Sequence, residues 1–360
     1  MICILVGARS RGYTVDPFFQ AWARSLAPHV RCVSYESLPP RQALSGASLI
    51  FTDLERLDPA ACRRAEELAA RAAAAGARVL NRPAHVLRRY DLLRSLRAAG
   101  LNPFNVYRAG EDRSGVRYPV FVRRESEHNG ALSGLLADAA ALDAELARLR
   151  RDPAQRDDLL VVEYEPTAGA DGLFRKYSVM RVGNRWIPRH VLFSSDWVDK
   201  TPDVVNEQTL AEERAFLHEF PHSAEVRRVF ETAGVDYGRI DYAVRGREVI
   251  TWEINTNPTI VPVPEKCDPR RLGEQAESAR LVRQALHELD GPPVHISLKG
   301  LPVVVERMRA GTRAEMAAAQ LWGAAGQLPG GRRIVRALRR SLDLATEIQD
   351  WGDRSDGALS

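Results

Sequence analysis

The chain has 360 residues, 45% of them hydrophobic and 27% charged, with a net charge of +4. That length supports two or three structural units with sizeable cores, and a modest charge interspersed with acids argues against nucleic acid as a partner. The four cysteines, at 3, 32, 62 and 267, form no CxxC pair, which excludes a zinc or redox motif and fits a reducing compartment. The opening MICILVG is apolar over too few positions for a signal-peptide core, and no run reaches the eighteen or so apolar residues of a membrane span, so the expectation is a cytoplasmic protein without one.

Residues 1 to about 82 alternate between strands and helices. ICILVG, VRCVSYE, ASLIFTDLE and ARVLN read as strands, PFFQAWARSLA and PAACRRAEELAARAAAAG as helices. Such alternation predicts a parallel sheet covered on both faces. The first strand-to-helix turn, GARSRG, lacks the middle glycine of a dinucleotide fingerprint. Arg9 and Arg11 on it face either solvent or an anionic ligand. PAHVLRRYDLLRSLRAAG predicts a helix from about Pro83 to Gly100.

The texture then changes. YPVFVRRE, DLLVVEYEP, FRKYSVMRV, RWIPRHVLF, GRIDYAVR and EVITWEIN are six strand-like runs, with helical stretches near 134–150, 207–219, 223–233 and 270–288. This spacing predicts an α+β unit with a mostly antiparallel sheet. From about 291 the pattern becomes helical, and RRIVRALRRSLDLATEI is a basic amphipathic helix expected to dock on its own domain. This last part could cap the fold, mediate a homo-oligomer or dock a partner.

The chemistry concentrates in GRIDYAVRGREVITWEINTNP. Side chains alternate faces along a strand, so Glu253, Asn255 and Asn257 share a face. If Asp241 opposes Glu253, residue 245 opposes 249 and the loop is Gly246, Arg247 and Glu248. That register gathers two carboxylates and an amide carbonyl. These are hard oxygens of the kind Mg²⁺ takes while bridging to phosphates. The alternative is Asp241 paired with Arg239 or Arg247 and Glu253 solvated.

Cations that could meet a phosphate lie on other strands: Arg123 and Arg124 in VFVRRE, Arg175 and Lys176 in RKYSVM, and Arg189 in IPRHVLF. Arg189 falls in an apolar alternation set and needs either an internal salt bridge or a ligand anion. LLVVEYEP leads into Glu163, Tyr164 and Glu165, which could offer backbone groups to a base and a carboxylate to a ribose. EHNGALSGLL, with Gly130 and Gly134, is either a plain loop with a helix N-cap or a segment whose amides close over phosphates.

In this order the segments resemble the ATP-grasp superfamily of carboxylate–amine ligases, from about Asn81 to about Pro264. The first eighty residues look like that family's N-terminal α/β domain. GRIDYA…EINTNP is close to the GRID…EANTSP segment of the D-alanine–D-alanine ligases, and the glutamate ligases that modify ribosomal proteins show a similar order of segments. The resemblance implies that Asp241, Glu253 and Asn255 bind Mg²⁺ (or Mn²⁺). It places Arg123 where the family has a phosphate-binding lysine and EHNGALSG, with Gly130, at the glycine-rich loop. Glu163, Tyr164 and Glu165 fall at the adenine hinge, and Arg189 or Lys176 near the transferred phosphate. RRYDLL stands where the family often carries another lysine.

The fold so implied is a Rossmann-like α/β domain over 1–82, an ATP-grasp domain over 83–290 and a helical C-terminal extension over 291–360. The activity implied is ATP-dependent ligation of small-molecule or peptide carboxylates to amines through an acyl phosphate. The substrate would sit between the first domain and the hairpin, near Arg9 and Arg11 and around Asn257 to Ile260. A phosphotransferase on the same fold and a non-catalytic ATP-binding protein are the alternatives.

Overall fold

The computed structural model describes residues 1–38, 43–128, 130–151, 158–197 and 204–299, without the side chains of Arg9, Ser37 and Ala43. The basic amphipathic helix expected beyond 330, and most of the expected helical extension, lie outside the described residues.

In chain order the elements are β1 (Ile2–Val6), α1 (Ala8–Thr14), α2 (Asp16–Ala21), β2 (Val30–Ser34), β3 (Ala43–Gly46), β4 (Ser48–Phe51), α3 (Pro59–Ala74) and β5 (Arg78–Leu80). After them come α4 (Arg89–Ala98), β6 (Val106–Arg108), β7 (Val120–Arg124), α5 (Ala139–Leu149), β8 (Leu159–Glu163), β9 (Phe174–Val182) and β10 (Arg185–Ser194). The last are α6 (Glu207–Glu219), α7 (Ser223–Ala233), β11 (Tyr237–Arg245), β12 (Glu248–Asn255), α8 (Leu272–His287) and β13 (Val294–Ser297).

β1 is apolar throughout and fully buried, as a central parallel strand must be. It lies between β2 and β4, and with β5 makes a parallel sheet in the order β2-β1-β4-β5. The chain thus leaves β1 toward one side and returns on the other, so the β1/β4 boundary is a topological switch point. GARSRG is not a loop. Its residues after Gly7 begin α1, and Arg11 is engaged by Asp16 and the Cys32 carbonyl on the surface. α3 starts where Asp58 accepts a hydrogen bond from Ala61 N with Pro59 in the first turn, a standard helix opening.

The helix expected from Pro83 begins only at Arg89. Residues 82–86 turn instead, with His85 N and Val86 N both donating to Arg82 O. Leu87 N then donates to Ala233 O, fixing this turn against the end of α7. Gly234 makes the approach possible: it sits at φ +65°, and a Cβ there would lie 2.2 Å from His85 O. The stretch from 291 is not helical up to 299. β13 pairs antiparallel with β3, which the sequence patterning also left unmarked.

Two antiparallel sheets follow, ordered β6-β8-β7 and β10-β9-β11-β12. One face of the four-stranded sheet, with Val179, Ile240, Tyr242 and Val249, packs with Leu92, Leu96, Val229 and Phe230 of α4 and α7. The other face, with Met180, Ile187 and Tyr237, packs with Ala279, Val282 and Leu286 of α8. Truncating a fully buried Phe230 to Ala would cost about 3–5 kcal/mol. Phe121, Leu160 and Val162 of the three-stranded sheet join the first of these cores, while Val120, Val122 and Val161 turn to α5. Among the described residues no helix is long and apolar enough to cross a membrane.

Candidate active site

Asp241 lies directly opposite Glu253, as the alternation predicts. The loop differs. Arg245 opposes Glu248, so Gly246 and Arg247 alone make the turn, with Gly246 at φ +62°, where a two-residue hairpin loop favours glycine. A bulge at Trp252 absorbs the extra residue, and the Trp252 ring stacks on Phe104. Across β11, Asp241 also opposes Ser178 of β9, and Ser178 opposes His190 of β10. One polar row, His190–Ser178–Asp241–Glu253, therefore crosses all four strands on one face.

The carboxylates of this row have close partners. Asp241 accepts hydrogen bonds from Ser178 Oγ at 2.6 Å and from Arg239 Nε and Nη2 at 2.9 and 3.2 Å. Glu253 is bound by Arg123 Nη2 at 2.6 Å, by Arg89 Nη2 and by His128 Nδ1 at 3.3 Å. Although burial opposes ionisation, the charges of Arg89, His128 and Arg123 hold the Glu253 carboxyl well below the usual range. Burial and the neighbouring charge of Arg89 bring Arg123 down to about 10.

His128 continues the network. Its Nε2 lies 2.8 Å from Glu55 Oε1, and Thr256 Oγ1 donates to Glu55 Oε2 at 2.8 Å. Burial works against the charged imidazole, but Glu253 and Glu55 outweigh it and raise its pKa. Burial also opposes Glu55 ionisation, yet the bond and charge of His128 leave it at about 2. Arg89 Nη1 donates to the carbonyls of Arg124, Glu125 and Glu127 at 2.6 to 2.8 Å, fastening the segment after β7. A small pocket lined by Glu55, Arg88, Arg89, Glu125, His128 and Thr256 opens beside this network.

Asp53, at the switch point, accepts from Gly7 N at 2.8 Å and from Asn257 Nδ2 at 3.0 Å. The strand ends of the parallel sheet thus meet the segment after β12 through Asp53 and Glu55. Arg11 is held by Asp16 instead, and the Arg9 side chain lies outside the described residues. Asp53, Glu55, Arg89 and His128 were missed by sequence reasoning. The legible signal was DLE at the carboxyl end of a parallel strand, where ligand sites form.

The remaining candidates divide. Lys176 is on the Ser178 face of β9, and among the described residues it has no ion-pair partner. Glu163 points to the α5 side of its sheet, where its carboxylate accepts from Asn105 N and Arg117 N at 2.9 and 3.0 Å. Glu165, 1% exposed, is ion-paired with Arg117 and Arg245. In this conformation both carboxylates are engaged by protein partners. The Tyr164 ring meets the Trp197 ring. Gly130, at φ +90°, starts a return along the edge of β7, where Ala131 bridges Arg123 and Leu136 bridges Val120. Arg189 is wholly buried beneath the other end of the polar row and donates to Ile260 O and Gln275 Oε1.

The donor set Asp241, Glu253 and Asn255 has the hard-oxygen chemistry of a Mg²⁺ site. In this conformation Asn255 Oδ1 accepts from Asn257 N, and arginines neutralise both carboxylates. Among the described residues no group of three or more His, Cys, Asp or Glu is arranged to hold a metal.

No protein-family model matches the chain, and no curated protein sequence does. Matches exist among solved structures. D-alanine–D-alanine ligase from Bacillus anthracis, complexed with ATP, is 11% identical with a TM-score of 0.45, covering 80% of this chain and 98% of that one. A RimK domain ATP-grasp protein from Sphaerobacter thermophilus DSM 20745 is 16% identical with a TM-score of 0.45, covering 79% and 98%. The D-cycloserine synthetase DcsG is 16% identical with a TM-score of 0.41, covering 78% and 99%. With these scores below 0.5, the functional reading rests on the site's own geometry.

Proposed function

We propose that the chain is a Mg-ATP-dependent ligase of the ATP-grasp type, joining a small-molecule or peptide carboxylate to an amine through an acyl phosphate. The observation that carries this reading is the meeting of Asp241 and Glu253, opposed on one hairpin, with Arg123 from a separate sheet. Hard oxygens and phosphate-binding cations converge there from different elements, as phosphoryl transfer needs.

Arg123, Arg89 and Lys176 hold phosphate oxygens in this reading. The backbone at 163–165 lies against the base, and the segment from Gly130 excludes water from the acyl phosphate. Asp241, Glu253 and Asn255 would hold Mg²⁺ or Mn²⁺, which when bound neutralises charge on the phosphates. A triphosphate gives Arg89 and Arg123 a new anionic partner and so frees Glu253. The substrate carboxylate oxygen attacks the γ-phosphorus and the bond to ADP breaks. The amine nitrogen then attacks the acyl carbon, the C–O bond to phosphate breaks, and the amine gives up a proton.

A second reading, nucleotide binding without catalysis, is favoured by the arginine pairing of both carboxylates. Release of ADP from Mg-ATP in the presence of mixed carboxylates and amines separates the two. ADP release that depends on an amine supports the ligase. Release that needs only a hydroxyl acceptor makes the protein a phosphotransferase, and no release leaves the binding reading.

A further inference from the structure

At the far end of the polar row a second cluster has the opposite character. On β10, Pro188 opposes Val179 and His190 opposes Ser178, so Arg189 is the extra residue of a bulge. A bulge of this kind sends both of its residues to one face, here the face of Ser178 and Asp241. Arg189 is 0% exposed. Its Nε donates to Ile260 O at 3.0 Å and its Nη2 to Gln275 Oε1 at 3.2 Å. Its Nη1, the His190 Nε2 and the Gln275 Nε2 are all buried, and among the described residues none of the three has a hydrogen-bond partner.

The charge of Arg189 is only partly compensated, by Glu213, which Arg189 shares with Arg271. Arg239 is committed to Asp241, and Arg271 makes two bonds to Glu213 at 2.6 and 2.8 Å. Among the described residues no carboxylate forms an ion pair with Arg189. A buried guanidinium without a counter-anion is costly, and a folded chain keeps one where something else supplies the charge. Burial, and then the charge of Arg239, lower the pKa of Arg189 against the opposing pull of Glu213.

We propose that Arg189, His190 and Gln275 form a subsite for a carboxylate that the substrate carries in addition to the one it activates. Three unpartnered nitrogens suit the two oxygens of a planar carboxylate, and the guanidinium supplies the charge. Two strand spacings, about 10 Å, separate His190 from Asp241, so the cluster lies apart from the carboxylates of the hairpin, and a dicarboxylate such as glutarate is a simple probe for it. The ligase reading is needed for the word substrate, whereas the anion subsite stands on the geometry alone.

The test is thermal unfolding of the full chain, without nucleotide, titrated with glutarate, with inorganic phosphate and with chloride at matched ionic strength. Glutarate should raise the melting temperature saturably. Arg189→Met should abolish the shift. Gln275→Met should weaken glutarate at least about tenfold, the loss expected for a bond to a charged group. No glutarate shift, or equal affinity in parent and both folded variants, overturns the proposal. Binding of phosphate without glutarate also overturns it, by assigning the cluster to a phosphoryl group. Failure of ATP to bind while glutarate binds would sink the ligase reading and leave the subsite standing.

Discussion

Glu253 and Arg189 leave the same face of one sheet, three strands apart, and their surroundings are opposites. Glu253 is over-supplied, with Arg89, Arg123 and His128 all converging on it. Arg189 is under-supplied, with a buried Nη1 that has no partner among the described residues. A carboxylate ringed by cations is ready to surrender some of them to an anion, whereas a buried cation with no carboxylate bonded to it can take one. Both ends of the row therefore favour anionic ligands, the first by exchange and the second by filling.

The contrast breaks most visibly at Glu253. Glu253→Gln leaves three buried cationic groups without their shared counter-anion and should cost about 3–5 kcal/mol in urea unfolding. Inorganic tripolyphosphate should recover part of that loss, and the variant should lose Mg-dependent turnover. A cost below about 1 kcal/mol would mean that the network contributes little. Asp241→Asn keeps the shape but weakens the bonds from Arg239 and Ser178, and about 1–3 kcal/mol is expected by the same measurement.

Nucleotide affinity sharpens the picture further. Arg123→Ala should weaken ATP by about tenfold or more, as loss of a charge-assisted phosphate contact implies. Arg247→Ala, at the hairpin tip, should leave ATP affinity unchanged. Equal effects would misplace the phosphate strand.

The pH dependence follows from the same network. The folded pKa of His128 is raised above its ordinary value of 6.5, so its contribution is complete below that value and is lost as pH rises through the folded one. Glu55 is depressed from 4.5 to about 2, so its contribution is present above 4.5 and is lost as pH falls toward 2. Melting temperature against pH should fall on both flanks, and His128→Gln should remove the alkaline flank. The smallest effect belongs to the exposed Arg185–Glu288 pair, where Arg185→Ala should give no resolvable change in melting temperature.

Much of this was legible in the sequence because periodicity reports burial. The four parallel strands and the facing of Asp241 and Glu253 follow from runs and alternation within short windows. The Trp252 bulge was not legible, since an extra residue in a strand leaves the local composition unchanged. The late start of α4 was set by Gly234 and Ala233 packing against residues 85–87, a contact across about 150 positions. β13 reads as a strand only beside β3. The site was half visible for the same reason. Asp241 and Glu253 are neighbours on one hairpin, but Arg89 and His128 come from separate segments and meet Glu253 only in the folded chain, where Glu55 in turn meets His128. Glu163 and Glu165 were assigned by position in a motif, and their arginine partners, Arg117 and Arg245, lie far from them in sequence.

The most direct measurement is thermal unfolding with ATP alone, with Mg²⁺ alone and with both. Ligand at a hundred times its dissociation constant stabilises by about 2.7 kcal/mol, which is visible as a melting shift. The account predicts little shift with Mg²⁺ alone, because the arginines hold both carboxylates, and a large shift that needs ATP and Mg²⁺ together. A shift with Mg²⁺ alone, or none with millimolar Mg-ATP, would contradict it.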